Sequence, residues 1–320
     1  MYAQFRQMFP PRPCFTSADV ESQEGKVFLV TGGYSGIGLE LAKILYHKTA
    51  RVYIAGHSWE KATKAVEEIR STVPNGGSVE FLHLDLDDLS SIGSAVEEFK
   101  SKESKLHVLW DNAGISQPPV GSLSKQGIEL QLATNCLGPF LPTKLLLPLL
   151  QAASADAVPN SVRIVWSSSQ IMELSAPHHG INMAELGNPP DTARAYVNSK
   201  TGNTFLASEF AKRLDPSHKI LNLSQNPGPC RTRLFRHTPA LPYLAWPLLH
   251  HPKYGALTCL FSGLSKEITW DDNGGYIIPW GRIGNLRKDL KEATEEQTSG
   301  GSGRASEFWE YSDDATSMYV

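Results

Sequence analysis

The chain is poor in cysteine, in net charge and in long apolar runs. Its four cysteines, Cys14, Cys136, Cys230 and Cys259, are scattered over 320 residues. They form no CxxC pair and no His/Cys spacing of a metal site. They read as reduced thiols of an intracellular protein, and no metal is expected. A formal net charge of −3 leaves no basic excess for a nucleic-acid surface. No apolar run reaches the length of about 20 residues that a transmembrane helix needs. Met1 to Glu24 lack the apolar core of a secretory signal and carry Pro10, Pro11 and Pro13, so this stretch reads as a polar arm or disordered leader. The terminal Met318-Tyr319-Val320 is no peroxisomal address. These absences point to a cytoplasmic protein. No internal repeat and no domain break before residue 290 is evident.

What is present is a hydrophobic content of 41% with 20% charged residues, enough for a sizeable core. The chain is organised around Thr31-Gly32-Gly33-Tyr34-Ser35-Gly36-Ile37-Gly38. The apolar run Val27-Phe28-Leu29-Val30 precedes it and a helix-like pattern, Leu39 to Leu45, follows. Strand, glycine turn and helix is the arrangement that holds a nucleotide pyrophosphate. Backbone N–H groups at the helix start carry partial positive charge, and missing side chains let phosphate approach them. Gly32 suits the tight turn, Gly36 the close approach and Gly38 the helix–sheet contact. The motif alone is weak, and the bland alternative is a glycine-rich turn.

The rest of the chain repeats this alternation. Apolar strand patterns at 51–55, 79–84, 106–110, 162–166 and 220–224 alternate with helical patterns at 59–72, 88–101, 127–151 and 194–214. A short last strand is expected at Gly274 to Ile278. Such alternation implies right-handed βαβ units and a parallel sheet. The prolines 139, 142 and 148 should interrupt or bend the 127–151 helix. A long His-, Gly- and Pro-rich segment, 170–193, reads as a functional loop in which His178 and His179 could border a substrate.

Tyr196 and Lys200 stand four apart on one predicted helix and so share a face. A free tyrosine titrates near pH 10, too high for a base at neutral pH, and a neighbouring ammonium lowers it. The bland alternative is an ordinary helix-surface pair. Ser167-Ser168-Ser169 closes the fifth strand, at the sheet edge where open α/β proteins bind ligands. A serine there could hold a substrate oxygen or merely cap a helix.

These residues together resemble the short-chain dehydrogenase/reductase family. The similar positions are the Thr31–Gly38 motif, Asp85 after strand three, Asn112-Ala113-Gly114 after strand four, Asn135, Ser169, Tyr196-x-x-x-Lys200, and Pro227-Gly228 with Thr232. The resemblance covers about residues 25–280. It is nearest to the fungal retinol-dehydrogenase-like or WW-domain-oxidoreductase-like branch, many of whose members sit in secondary-metabolite pathways. Phe9-Pro10-Pro11-Arg12-Pro13, the Asn273–Arg282 stretch and Glu307-Phe308-Trp309-Glu310 carry that finer likeness.

The resemblance implies a Rossmann-like, doubly wound α/β fold with a seven-stranded parallel sheet and helices on both faces. The residues themselves read as a polar arm over 1–24, one catalytic domain over 25–290, and a tail over 291–320 with a possible helix near Ala305–Tyr311. By the resemblance, Tyr196 would pass a proton to or from a substrate oxygen while hydride moves to or from a nicotinamide. Lys200 would lower the Tyr196 pKa and hold the nicotinamide ribose. Ser169, chosen over Ser168, would hydrogen-bond the substrate oxygen. Asn135 would steady a proton-relay water. The cofactor would lie against Gly32, Ser35, Gly36, Ile37, Gly38, Asp85, Leu86 and Asn112, with Pro227, Gly228 and Thr232 at its nicotinamide end and Tyr196 and Lys200 beside it. Gly56-His57-Ser58 carries no carboxylate to bind a ribose 2′-hydroxyl, and His57 and Lys61 could meet a 2′-phosphate. NADP(H) is therefore favoured over NAD(H).

The apolar, proline-broken stretch 230–264 would form a lid over a hydrophobic ketone or alcohol. A homo-oligomer is left open. The competing reading is a non-catalytic cofactor-binding scaffold or regulatory module. A sugar-nucleotide epimerase is disfavoured by the glycine spacing and the apolar lid.

Overall fold

A computed structural model describes residues 2–238 and 246–320. Seven strands form the parallel sheet: β1 (Val27–Thr31), β2 (Arg51–Gly56), β3 (Ser78–His83), β4 (Val108–Asp111), β5 (Arg163–Ser167), β6 (Leu221–Gln225) and β7 (Tyr276–Ile278). An eighth, β8 (Arg282–Gly284), pairs antiparallel with β7. The sequence pattern missed it, because three residues are too few to show an alternation. The order β3-β2-β1-β4-β5-β6-β7-β8 reverses direction between β1 and β4. That reversal opens a crevice at the carboxyl ends of the strands.

The strands are apolar on both sides because both faces are covered. Leu29, Tyr53 and Leu109 point into one core, and Phe28, Val30, Val52 and Val108 into the other. Successive side chains alternate between faces. On the second face lie α2 (Gly36–His47), α3 (Trp59–Ser71) and a helix at Pro252–Leu264. The first face carries α4 (Leu89–Lys102), a long helix, α5 (Leu130–Ser154), and a helix at Thr192–Arg213.

Four readings from sequence need correction. Leu130–Ser154 has the length and mean hydropathy of a membrane span, but 67% of its apolar window is buried inside the protein. It is a core helix, and it continues through Pro142 and Pro148. The helix Pro252–Leu264 is not part of a lid. Its Ala256, Cys259, Leu260 and Phe261 are at most 2% exposed and pack on α2 and the sheet. The apolar composition there serves the core. Of the expected lid, Leu241, Tyr243 and Leu244 lie outside the described residues. Residues 2–24 are no disordered leader: α1 (Tyr2–Met8) and a 3-10 turn at Ser17–Asp19 sit against the body. Phe15 and Val20 join the second core. Finally, His178 and His179 do not border the crevice. The His179 N–H donates to Asp289, and its ring lies 3.7 Å from Glu292.

The C-terminal helix, Arg304–Thr316, is also integral. Phe308 is fully buried, and Trp309 meets Phe140 and Phe210 at centroid distances of 4.9 and 4.6 Å.

Candidate active site

A cleft of about 730 Å³ opens along the carboxyl edge of the sheet. Its cofactor half is built by the first β-turn-α unit. Gly32 and Gly36 take left-handed backbone angles (φ +65° and +55°), which favour glycine. A Cβ on Gly38 would lie 2.6 Å from the Gly32 carbonyl oxygen, so only glycine lets α2 approach the turn. The Ser35 side chain makes no capping bond to α2. Among the described residues no side chain bonds the first-turn N–H groups of this 12-residue helix, beside the cleft. Asn112 ties the two sides of the crevice together, donating to the Thr31 carbonyl at 2.9 Å. An uncapped helix start behind glycines is a donor set that fits a dinucleotide pyrophosphate.

At the end of β2, His57 and Lys61 line the cleft with Asp85 and Leu86, as do Arg236 and His237. The Tyr34 ring covers Gly56, where a Cβ would come within 2.2 Å of it. Burial raises the Tyr34 pKa. Asp87 is also pushed up, by burial first and then by its bond with Asp85.

The other half of the cleft holds Ser169, Tyr196 and Lys200. The helix Thr192–Arg213 starts at Asp191, whose carboxylate caps the Arg194 N–H at 2.7 Å. One turn in, it presents Tyr196 (9% exposed) and Lys200 (4% exposed) to the cleft. The Lys200 Nζ lies 5.8 Å from the Tyr196 ring centroid and donates to the Ser167 carbonyl at 3.0 Å. Burial lowers its pKa to about 8. Burial also raises the Tyr196 pKa, against a hydrogen bond with Ser169 that lowers it. The sequence argument had Lys200 pulling the phenol down. In the structure desolvation outweighs everything else acting on Tyr196, so it is a neutral phenol at pH 7.

The neighbouring serines do different things. Ser168 Oγ donates to the Lys200 carbonyl at 2.7 Å and is buried against that helix. Ser169 caps the helix Gln170–Ser175, accepting the Ile171 N–H at 3.3 Å, and it is the serine whose side chain acts to lower the Tyr196 pKa.

Asn135 and Gly38 do not line the cleft. Asn135 is fully buried in a π-helical turn, Ala133–Leu137, within α5. Its amide exchanges bonds with the Ile115 backbone (2.8 and 3.0 Å) and donates to Ser199 Oγ at 2.9 Å. Asn135 Oδ1 and Lys200 Nζ flank the same spot, each 3.2 Å from where a Gly114 Cβ would stand. Ser35, Gly36, Ile37, Asn112, Pro227, Gly228 and Thr232 all border the cleft. Reasoning from sequence missed Tyr34, Ile115, Pro118, Ile171 and Leu174 as lining residues. Tyr34 lies within the glycine motif, and no motif marks the other four. Those four arrive through the turn after β4 and the short helix behind Ser169.

Comparison with known proteins decides the family. A short chain dehydrogenase family profile matches residues 26–179. A short-chain dehydrogenase/reductase of Pestalotiopsis fici is 42% identical over 329 aligned positions, covering 100% of this chain and 99% of that relative. The chain belongs to the short-chain dehydrogenase/reductase family. Another member, from Emericella nidulans, is 38% identical across 96% of this chain and 98% of its own. A crystal structure of a Mycobacterium paratuberculosis protein superimposes with a TM-score of 0.69 at 26% identity, covering 95% and 97% of the two chains. The 3-ketoacyl-(acyl-carrier-protein) reductase of Brucella melitensis, complexed with NADH, shares the fold at a TM-score of 0.60 and 23% identity, over 82% of this chain and 99% of its own. The protein is an NAD(P)-dependent oxidoreductase of this short-chain dehydrogenase/reductase type.

Proposed function

We propose that the enzyme interconverts a carbonyl and an alcohol on an apolar small molecule, using NADP(H) in preference to NAD(H). The observation that carries this reading is the Ser169–Tyr196–Lys200 group, which faces the same cleft as the uncapped glycine-turn helix. The nicotinamide, when bound, supplies or accepts the hydride. Tyr196 holds the proton that goes to or comes from the substrate oxygen, and Ser169 donates a hydrogen bond to that oxygen. Lys200, mostly cationic below its pKa of about 8, orients the ribose and stabilises charge on Tyr196 when the phenol gives up its proton. Asn135 fixes the turn after β4 and, through Ser199, the helix that bears Tyr196 and Lys200.

The absence of a carboxylate at the end of β2, with His57, Lys61, Arg236 and His237 around it, supports a 2′-phosphate. Lys61 and Arg236 are the side-chain cations that would read that phosphate. Ile115, Pro118, Ile171 and Leu174 give the substrate end an apolar wall. The fungal relatives and the branch resemblance support a place in secondary metabolism. The test is NADPH oxidation with a panel of apolar ketones, run beside NADH titrations and a His57→Asp variant. Turnover with NADPH that His57→Asp weakens is expected. Preference for NADH would overturn the cofactor choice, and inactivity across the whole panel would overturn the reaction.

A further inference from the structure

The N-terminal helix α1 reaches the back of the active site. Gln7 is 2% exposed and every polar atom of its side chain is used. Its Nε2 donates to Glu173 Oε2 at 2.5 Å. Its Oε1 accepts from Asn226 Nδ2 at 2.9 Å and from the Tyr276 hydroxyl at 3.3 Å. Glu173 sits in the helix Gln170–Ser175 that Ser169 caps. Asn226 opens the Pro227-Gly228 turn, and its Oδ1 accepts the Gly228 N–H at 3.0 Å. Gln4 adds a second tie, its side-chain and backbone oxygens accepting from Gln170 at 3.1 and 2.8 Å. The Arg6 carbonyl accepts from Arg282 at 3.0 Å.

One amide thus spans two pieces of the cleft, which also meet through the bond from the Ser168 N–H to the Gln225 carbonyl at 2.8 Å. We propose that Gln7 is a positioning residue, locking the Ser169-bearing helix to the Asn226–Gly228 turn so that the serine and the nicotinamide-side loop keep one spacing. This rests on the function proposed above for Ser169 and for that turn. Such a bond matters because catalysis by fixed donors tolerates little displacement, a misplacement of about 1 Å costing on the order of 100-fold. Buried groups left unpaired by its loss would pull both pieces out of register.

The test compares Gln7→Leu and Gln7→Glu with Phe5→Ser, a change on the exposed face of α1, in the full chain. Gln7→Leu keeps the bulk and removes every bond. The expected result is a fall of about tenfold to 100-fold in kcat with the NADPH Kd changed by less than about threefold, since the adenine end is untouched. The fluorescence of bound NADPH should lose its enhancement in the same variant, because the nicotinamide end alone is released. Phe5→Ser should change neither. Unaltered kcat and unaltered bound fluorescence in Gln7→Leu, whatever its Tm, would overturn the proposal.

Should Gln7→Leu fail to fold, Gln7→Glu decides. Its carboxylate still accepts from Asn226 and Tyr276 but must share a proton with Glu173. The charged group facing the pair is Arg287, itself paired with Asp289, and Tyr276 is the other titratable neighbour. Turnover relative to wild type should be near normal at about pH 6 and fall by about pH 8. An equal ratio at both would overturn the proposal. If wild type turns over nothing, the proposed reaction fails, while the bound-cofactor fluorescence of Gln7→Leu still reads the brace.

Discussion

Replacing Lys200 by methionine should end turnover and yet leave the cofactor-free protein at least as stable at neutral pH. The ammonium is 4% exposed. Burial drops its pKa from 10.5 to about 8. That fall of roughly 2.5 is about 3 kcal/mol against the charged form. The folded-state value lies below the unfolded one, so the lysine contribution is most favourable above pH 10.5 and worsens as pH falls through 8. The linkage relation gives a cost of about 3 kcal/mol at pH 7 and about 2 kcal/mol at pH 9.

Methionine fills similar space without the charge. The Ser167 carbonyl that Lys200 serves also accepts from Asn203 at 2.9 Å, so it is not orphaned. Losing a charge-assisted hydrogen bond returns about 1.5–3 kcal/mol, which leaves the variant equal to wild type or up to about 2 kcal/mol more stable at pH 7. The pH trend is the sharper reading. Between pH 7 and pH 9 the difference should move by about 1 kcal/mol in favour of wild type. Urea unfolding without cofactor, followed by tryptophan fluorescence, measures it. A pH-independent difference would refute the burial argument, as would a methionine variant much less stable at pH 7.

Three further outcomes follow from the packing and the electrostatics. Gly38→Val should abolish cofactor binding in a fluorescence titration, because a Cβ there meets the Gly32 carbonyl at 2.6 Å and Asn112 at 2.7 Å; retained affinity would contradict the close approach. Phe308→Ala should cost about 3–5 kcal/mol in urea unfolding, since the ring is fully buried in the main core; a loss below about 1 kcal/mol would mean that the C-terminal helix is peripheral. His107 accepts the Val27 N–H at 3.0 Å, and burial lowers its pKa from 6.5 to about 4. Its contribution should be present above pH 6.5 and be lost as pH falls through 4, by up to about 3 kcal/mol; a His107→Gln variant with the same acid sensitivity would contradict this.

Much of the fold was legible because its central strands are buried on both faces and so read as continuous apolar runs. The glycine turn was equally plain, since Gly32, Gly36 and Gly38 each answer a local steric demand. The substrate end was not. Ile171 and Leu174 carry no motif, and the helix that holds them is six residues long. The apolar composition of 252–264 suits a lid and a core helix alike, and only its packing on α2 separates the two. Gln7 was hidden for another reason. Its partners lie 166 and 219 residues away, beyond any local pattern. The electrostatics of Tyr196 were misread because a sequence shows a lysine one turn away but not the depth at which both are buried.

The most direct measurement is turnover by wild type and Tyr196→Phe, with NADPH consumption and NADPH binding followed on the same samples. The phenylalanine ring keeps the packing and removes only the hydroxyl. The account predicts a loss of about 100-fold or more in kcat with cofactor affinity unchanged. Undiminished turnover in Tyr196→Phe would contradict it.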